Sequence, residues 1–167
     1  MRYAILLLLF GTLCSCNVKL DKKEQTKNIE TDNIFHFILT EGTNFIDSKT
    51  GTYTRKYVND SKSVHFKFTN KEIEKIKRLY FDSKLDTLPD NYKPDCNITA
   101  MPNFEEKLVF NFDGKQKKFI YNSDYECFDD NTKKIVNNMK CLSDYIFNCV
   151  FDKKEVKQLK LSDFEYL

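Results

Sequence analysis

The stretch Lys107-Leu108-Val109-Phe110-Asn111-Phe112-Asp113-Gly114-Lys115-Gln116-Lys117-Lys118-Phe119-Ile120-Tyr121 decides the fold. Two β-forming runs flank Asp113-Gly114. An Asp-Gly pair in that setting is among the strongest short hairpin signals, because both residues tolerate the positive φ of a type I′ turn. A two-residue turn also fixes the register. Leu108 must pair across from Phe119, on the same face as Phe110. An antiparallel sheet is therefore centred in the second half of the chain.

Working toward the N-terminus, residues 89–102 carry Pro89, Asp90, Asn91, Pro94, Asp95, Asn97 and Pro102, the punctuation of an irregular loop. Before it, Thr69-Asn70-Lys71-Glu72 fits a capping box, in which hydroxyl and carboxylate each satisfy an orphan amide at a helix start. Ile73, Ile76 and Tyr80 then follow at helical spacing, and the helix should end before Leu88-Pro89. Further upstream the period is two. Val64, Phe66 and Phe68 alternate inward, with His65 and Lys67 outward. Gly51 to Val58 is rich in Thr and Tyr and reads as a strand. Ile34 to Leu39 is apolar on both faces, as a central strand would be.

Toward the C-terminus, Asp129 or Asp130 offers an N-cap for a second helix. Its stripe is Ile135, Met139, Leu142, Ile146 and Val150. Residues 153–167 fit either a helical continuation or a closing strand. The order β-β-β-α-β-β-α predicts an α+β domain. We expect a mostly antiparallel sheet of about five strands, with two helices packed on one face. Fifteen Phe and nine Tyr supply enough apolar surface for a core despite 31% charged residues.

The chain opens Met1-Arg2-Tyr3 and runs into Ala4 to Phe10, a basic start followed by an apolar run of roughly ten residues, as in an export signal. A permanent membrane helix needs about twenty. Leu13-Cys14-Ser15-Cys16 follows and resembles the lipobox of bacterial lipoproteins. That resemblance implies that residues 1–15 are a signal peptide and that Cys16 is the lipidated mature N-terminus, carrying diacylglyceryl and a further acyl group such as palmitate. More than one chain is needed for stable anchoring, at ~0.8 kcal/mol per buried methylene. Residues 16–32 are polar and mixed in charge, so they read as a tether. Residues 33–167 are then a single domain. By the same resemblance the protein sits in the bacterial cell envelope, at the outer membrane or periplasmic face.

Export permits disulfides. With Cys14 removed and Cys16 lipidated, Cys96, Cys127, Cys141 and Cys149 remain. Cys141 and Cys149 would lie ~12 Å apart on one helix, too far for a bridge that needs Cα atoms within about 7 Å. Cys96 and Cys127 flank the hairpin almost symmetrically and form the favoured pair, with bridges to the helix cysteines as the alternative. His36 reads as a hydrogen-bonded core histidine and His65 as solvent-facing. Asp129 and Asp130 read as a cap, and Lys115 to Lys118 as an edge-strand solubility device. No Cys-x-x-Cys, His-Glu-x-x-His, Gly-x-Ser-x-Gly or Gly-rich phosphate loop occurs, so no metal, cofactor or catalytic residue is expected.

Tyr53, Arg55 and Tyr57 share one face of their strand and form the candidate binding surface, since Tyr and Arg dominate interface hot spots. Net charge is +2, and loss of Arg2 with the signal leaves 26 basic against 25 acidic side chains. A nucleic-acid partner would leave a basic domain or stripe, so none is expected. The expected function is that of a membrane-anchored, non-enzymatic module that binds another protein, immunity- or inhibitor-like. A structural or accessory subunit of an envelope complex is the alternative, and an enzyme the remote one.

Overall fold

The first strand, β1 (His36–Glu41), lies in the middle of the sheet because both of its edges are paired. A meander runs outward on one side: β2 (Asn44–Asp47), β3 (Thr52–Lys56) and β4 (Ser61–His65). Helix α1 (Asn70–Asp82), a 3-10 turn (Leu85–Thr87) and the two-residue strand β5 (Asn91–Tyr92) carry the chain to the opposite edge. The hairpin β6 (Glu105–Phe112) and β7 (Lys115–Asn122) fills the gap. Helix α2 (Asp130–Phe151) and the short α3 (Lys154–Lys157) complete the fold. This computed structural model describes residues 35–95, 105–122 and 127–164, all within the unit Thr31–Leu167.

The strand order is β4-β3-β2-β1-β6-β7-β5. Every pairing is antiparallel except β5 with β7. The architecture is therefore α+β with a mostly antiparallel sheet, as expected, but it has seven strands and three helices among the described residues. The two extra strands are short. β2 pairs straight back on β1 through the turn at Gly42-Thr43, and β5 has only two residues. Neither is long enough to show a period in sequence.

The hairpin register is the one its turn demands. Leu108 faces Phe119, and Asp113 and Gly114 sit at φ +50 and +70. The capping box is also complete: Thr69 Oγ1 accepts the Glu72 amide while the Glu72 carboxylate accepts the Thr69 amide. Asp129 caps α2 by accepting from the Thr132 amide at 2.8 Å.

Register fixes which side chains make the core. Tyr53, Ile46, Leu39, Leu108 and Phe119 lie in one row across five strands. Phe37 and Phe110 form the next row, on the same face. Both rows are buried in one cluster with Ile76 and Tyr80 of α1 and Val136, Met139 and Ile146 of α2. At about 25 cal/mol per Å² of apolar surface, these aromatic and aliphatic groups supply the main driving force for folding. The helices thus cover one face of the sheet.

The helix-or-strand ambiguity of residues 153–167 resolves in part as a helix, the short α3, which Val156 anchors. After α3 an irregular stretch lies against β3. Arg55 Nη1 donates to the Lys160 carbonyl at 2.6 Å, and the Tyr57 hydroxyl donates to the same oxygen at 2.8 Å. Ser162 Oγ donates to the Lys56 carbonyl, and Asp163 accepts the Val58 amide. Val156 is buried, and Leu159 packs against the core.

Candidate functional site

One step beyond the apolar row, the same face of the sheet turns polar. Arg55, Asn44, Glu41, Glu106 and Tyr121 follow one another in register across β3, β2, β1, β6 and β7. Each occupies an inward position of its strand, two residues from a buried apolar neighbour. A row of inward polar groups must be hydrogen-bonded or reach solvent, and this row does both.

Its two flanks are satisfied internally. On one side Arg55 Nε donates to the Tyr53 hydroxyl at 2.8 Å, and that hydroxyl donates to Asn44 Oδ1 at 2.6 Å. On the other side the Tyr121 hydroxyl donates to Glu106 Oε2 at 2.6 Å and lies 2.7 Å from Ser143 Oγ of α2. Burial pushes the Tyr121 phenol well above its usual range, and the neighbouring Glu106 adds to it. Tyr121 therefore stays a donor at any physiological pH.

Glu41 stands in the centre, with no hydrogen bond or salt bridge among the described residues. It opens into a cleft of about 640 Å³ beneath α2, whose Lys140, Asp144, Asn148 and Phe151 form the opposite wall. Partial burial is the main force raising the Glu41 carboxyl to about 7, and Glu106 and Asp144 raise it further against the opposing pull of Lys140. Near neutrality this group holds or releases a proton according to what occupies the cleft. The cleft can accept a cation or a hydrogen-bond donor and can exchange one proton.

Among the described residues no group of three or more His, Cys, Asp or Glu side chains is arranged to hold a metal ion. No protein-family model and no curated protein matches the chain.

The sequence-derived binding surface needs correction. Tyr53 is 0% exposed and Arg55 8%, and Tyr57 is half-buried. The chain's own residues 159–163 cover this face and take up the hydrogen bonds a partner would have used. The Tyr-Arg-Tyr pattern marked a recognition surface, but the segment it recognises is internal. Tyr53 and Arg55 still bear on the cleft indirectly, by holding Asn44 at its rim.

Cys127 is disulfide-bonded. Cys141 and Cys149 are free thiols on one continuous helix, so neither bridges to Cys127. Cys96, Cys16 and residues 1–15, the expected signal peptide, lie outside the described residues. His36 and His65 line one pocket at the far end of β1. Lys117 is more than a solubilising charge: it pairs with Asp90 at 3.0 Å and its Nζ also meets the Leu88 carbonyl. β5 covers β7 only at Lys118 and Phe119, so Lys115 to Lys117 stay on an edge of the sheet among the described residues.

Sequence reading missed the cleft, although part of the signal was present. If Leu108 and Phe110 face inward, Glu106 faces inward too. Glu41-Gly42-Thr43-Asn44 does read as a break after the first strand, but nothing in it shows that β2 pairs straight back and sets Asn44 opposite Glu41.

Proposed function

We propose that this chain is a membrane-tethered protein of the bacterial envelope. In this reading it binds another protein through the cleft at the end of β1, in the manner of an immunity protein or an inhibitor. The observation that carries the reading is the unsatisfied Glu41 carboxyl between Asn44 and Glu106, at the mouth of an open cleft with Asp144 opposite. A Lys or Arg side chain from a partner would supply the missing counter-charge and hydrogen bonds. Phe147 and Phe151 offer apolar wall against which its methylene stem could lie. The lipobox at Leu13 to Cys16 supports the tether, and residues 16–32 give it reach. Cys96–Cys127 remains the proposed disulfide.

The experiment is affinity capture of the tagged chain from gently solubilised envelopes, run beside Glu41→Lys. A stoichiometric protein partner captured by the parent and lost with the reversed charge supports the reading. Equal capture by both would sink the cleft as the binding site. Binding of a cation draws the Glu41 proton off, so capture should strengthen from pH 6 to pH 8. A toxin or secreted hydrolase as partner fits the inhibitor role, and a resident complex fits an accessory subunit. Lipidation is tested separately, since Cys16→Ala should abolish fatty-acid labelling.

A second reading rests on Glu41 alone. A carboxyl raised to about 7 beside a second carboxyl is also what a general acid needs. Turnover of an envelope glycan or ester by the parent but not by Glu41→Gln would favour it over binding.

A further inference from the structure

At the opposite end of β1 from the cleft, five residues and ~16 Å away at strand rise, lies a second pocket of about 630 Å³. Its floor is apolar: Phe35, Phe66, Phe68 and Ile73. The Phe66 and Phe68 rings meet edge to face at 4.9 Å.

One wall is the turn that follows β2, and it is rigidly built. The Asp47 carboxylate accepts the Lys49 amide at 2.8 Å and the Thr50 amide at 3.3 Å. Gly51, at φ +62, backs directly onto the chain at Phe66, where a Cβ would stand 2.4 Å from the carbonyl oxygen. Only glycine permits that approach. The Phe66 amide closes the contact by donating to the Gly51 carbonyl at 2.8 Å.

The rim is cationic. Lys49 and Lys67 both line the pocket and neither enters a salt bridge among the described residues. His36 and His65 also line it, the latter with Nδ1 3.3 Å from Thr52 Oγ1. No Asp or Glu is among the lining residues, and the Asp47 carboxylate of the neighbouring turn is directed at the Lys49 and Thr50 amides. Unneutralised ammonium groups above an aromatic floor suit one chemical class. An inorganic anion would leave the floor wet, and a neutral hydrocarbon would leave the charges unused.

We propose that this pocket binds a small amphipathic anion, with an aromatic or acyl body on the Phe66–Phe68 floor and a phosphate, sulfonate or carboxylate head at Lys49 and Lys67. A free amphiphile and the headgroup region of an anionic phospholipid share that chemistry.

The test is a 1H–15N titration of the chain with phenyl phosphate, inorganic phosphate and phenol. Phenyl phosphate should shift the amides of Lys49, Thr50, Gly51 and Lys67 saturably, and each fragment alone should bind at least ~tenfold more weakly. Lys49→Glu with Lys67→Glu, both at exposed positions, should weaken binding by at least ~tenfold. Lys115→Glu with Lys134→Glu makes the same charge change on exposed residues elsewhere and should leave it within about twofold. Absence of saturable shifts, or unchanged binding by the Lys49/Lys67 variant, overturns the proposal. Displacement by phosphatidylglycerol but not phosphatidylcholine vesicles would assign the site to a lipid headgroup, and displacement by neither to a free amphiphile. Equal displacement by both would show that the charge plays no part and would overturn it.

Discussion

Glu41 and Glu106 occupy directly opposed positions on β1 and β6, so two carboxyl groups share one face of the sheet beneath α2. Like charges in that relation disfavour the folded chain. Glu106 has the Tyr121 hydroxyl as a hydrogen-bond partner, whereas the Glu41 carboxyl has none among the described residues and only the weaker pull of Lys140 across the cleft. The strain therefore falls on Glu41, whose carboxyl is raised from 4.5 to about 7, by burial first and by Glu106 second.

A raised carboxyl means that the folded protein holds a proton which the unfolded chain has released. Stability is then lost as pH rises from about 4.5 through 7. Glu41→Gln removes the titration. It should match the parent near pH 4 and exceed it at pH 8 by about 1–2 kcal/mol, after allowance for partial solvent screening. Urea unfolding at the two pH values measures this, and no gain at pH 8 would refute the like-charge account.

Tyr121→Phe tests the other side of the row. It leaves the buried Glu106 carboxylate and Ser143 hydroxyl without their shared partner. Such a loss costs about 1–3 kcal/mol. Ser143→Ala removes only the outer member and should cost less. Thermal unfolding of the two variants gives the order.

Lys153, at the N-cap of α3, reaches back to the capping carboxylate of α1, with its Nζ 2.7 Å from Glu72 Oε2. Burial alone would raise the Glu72 carboxyl, but the hydrogen bonds from Lys153 and Thr69 outweigh it and hold it below the usual value. That contribution is present above the ordinary carboxylate value and fades as pH falls through the lowered one. Lys153→Met should cost about 1–2 kcal/mol at pH 7. It should also flatten the parent's loss of stability on acidification. A variant with the parent's acid slope would show that the pair contributes nothing.

Arg55→Met removes the donor that holds the Lys160 carbonyl. The buried guanidinium bonds are worth about 2–3 kcal/mol, so the segment beyond α3 should come loose first. Brief trypsin digestion should then cut after Lys160 in the variant while the parent resists. Equal resistance would mean that Val156 and Leu159 hold the segment unaided.

The thiols make a simple check. Cys141 is exposed, whereas Cys149 is buried and its thiol is raised above the usual range, chiefly by that burial. A maleimide should label Cys141 within minutes and Cys149 only after unfolding. Non-reducing peptide mapping should recover Cys127 in a linked peptide, with Cys96 as its proposed mate.

What the sequence revealed followed from local chemistry. Asp113-Gly114 fixes a turn, Thr69 and Glu72 close a cap, and the stripe from Met139 to Val150 sets a helix face. Each of these needs only neighbours within a few residues. The polar row needs five strands in register at once, including β2, whose four residues carry no period of their own. The Tyr53–Arg55–Tyr57 face was visible as a binding pattern, but its occupant lies about a hundred residues away. Nothing near Lys160 marks it as the complement, because Arg55 reads only a backbone carbonyl there.

That last contact also sets a timetable. Arg55 and Lys160 are separated by 105 positions, so a chain emerging N-terminus first presents the guanidinium long before its acceptor exists. The β1–β4 meander can pair early, but one of its inward cations waits in water until α3 has followed. Completion of this face thereby waits for the residues that follow α3. A chain that stopped before Lys160 would lose the acceptor and leave the Arg55 guanidinium with no carbonyl to receive it, a lesion at β3 caused by a loss more than a hundred residues away.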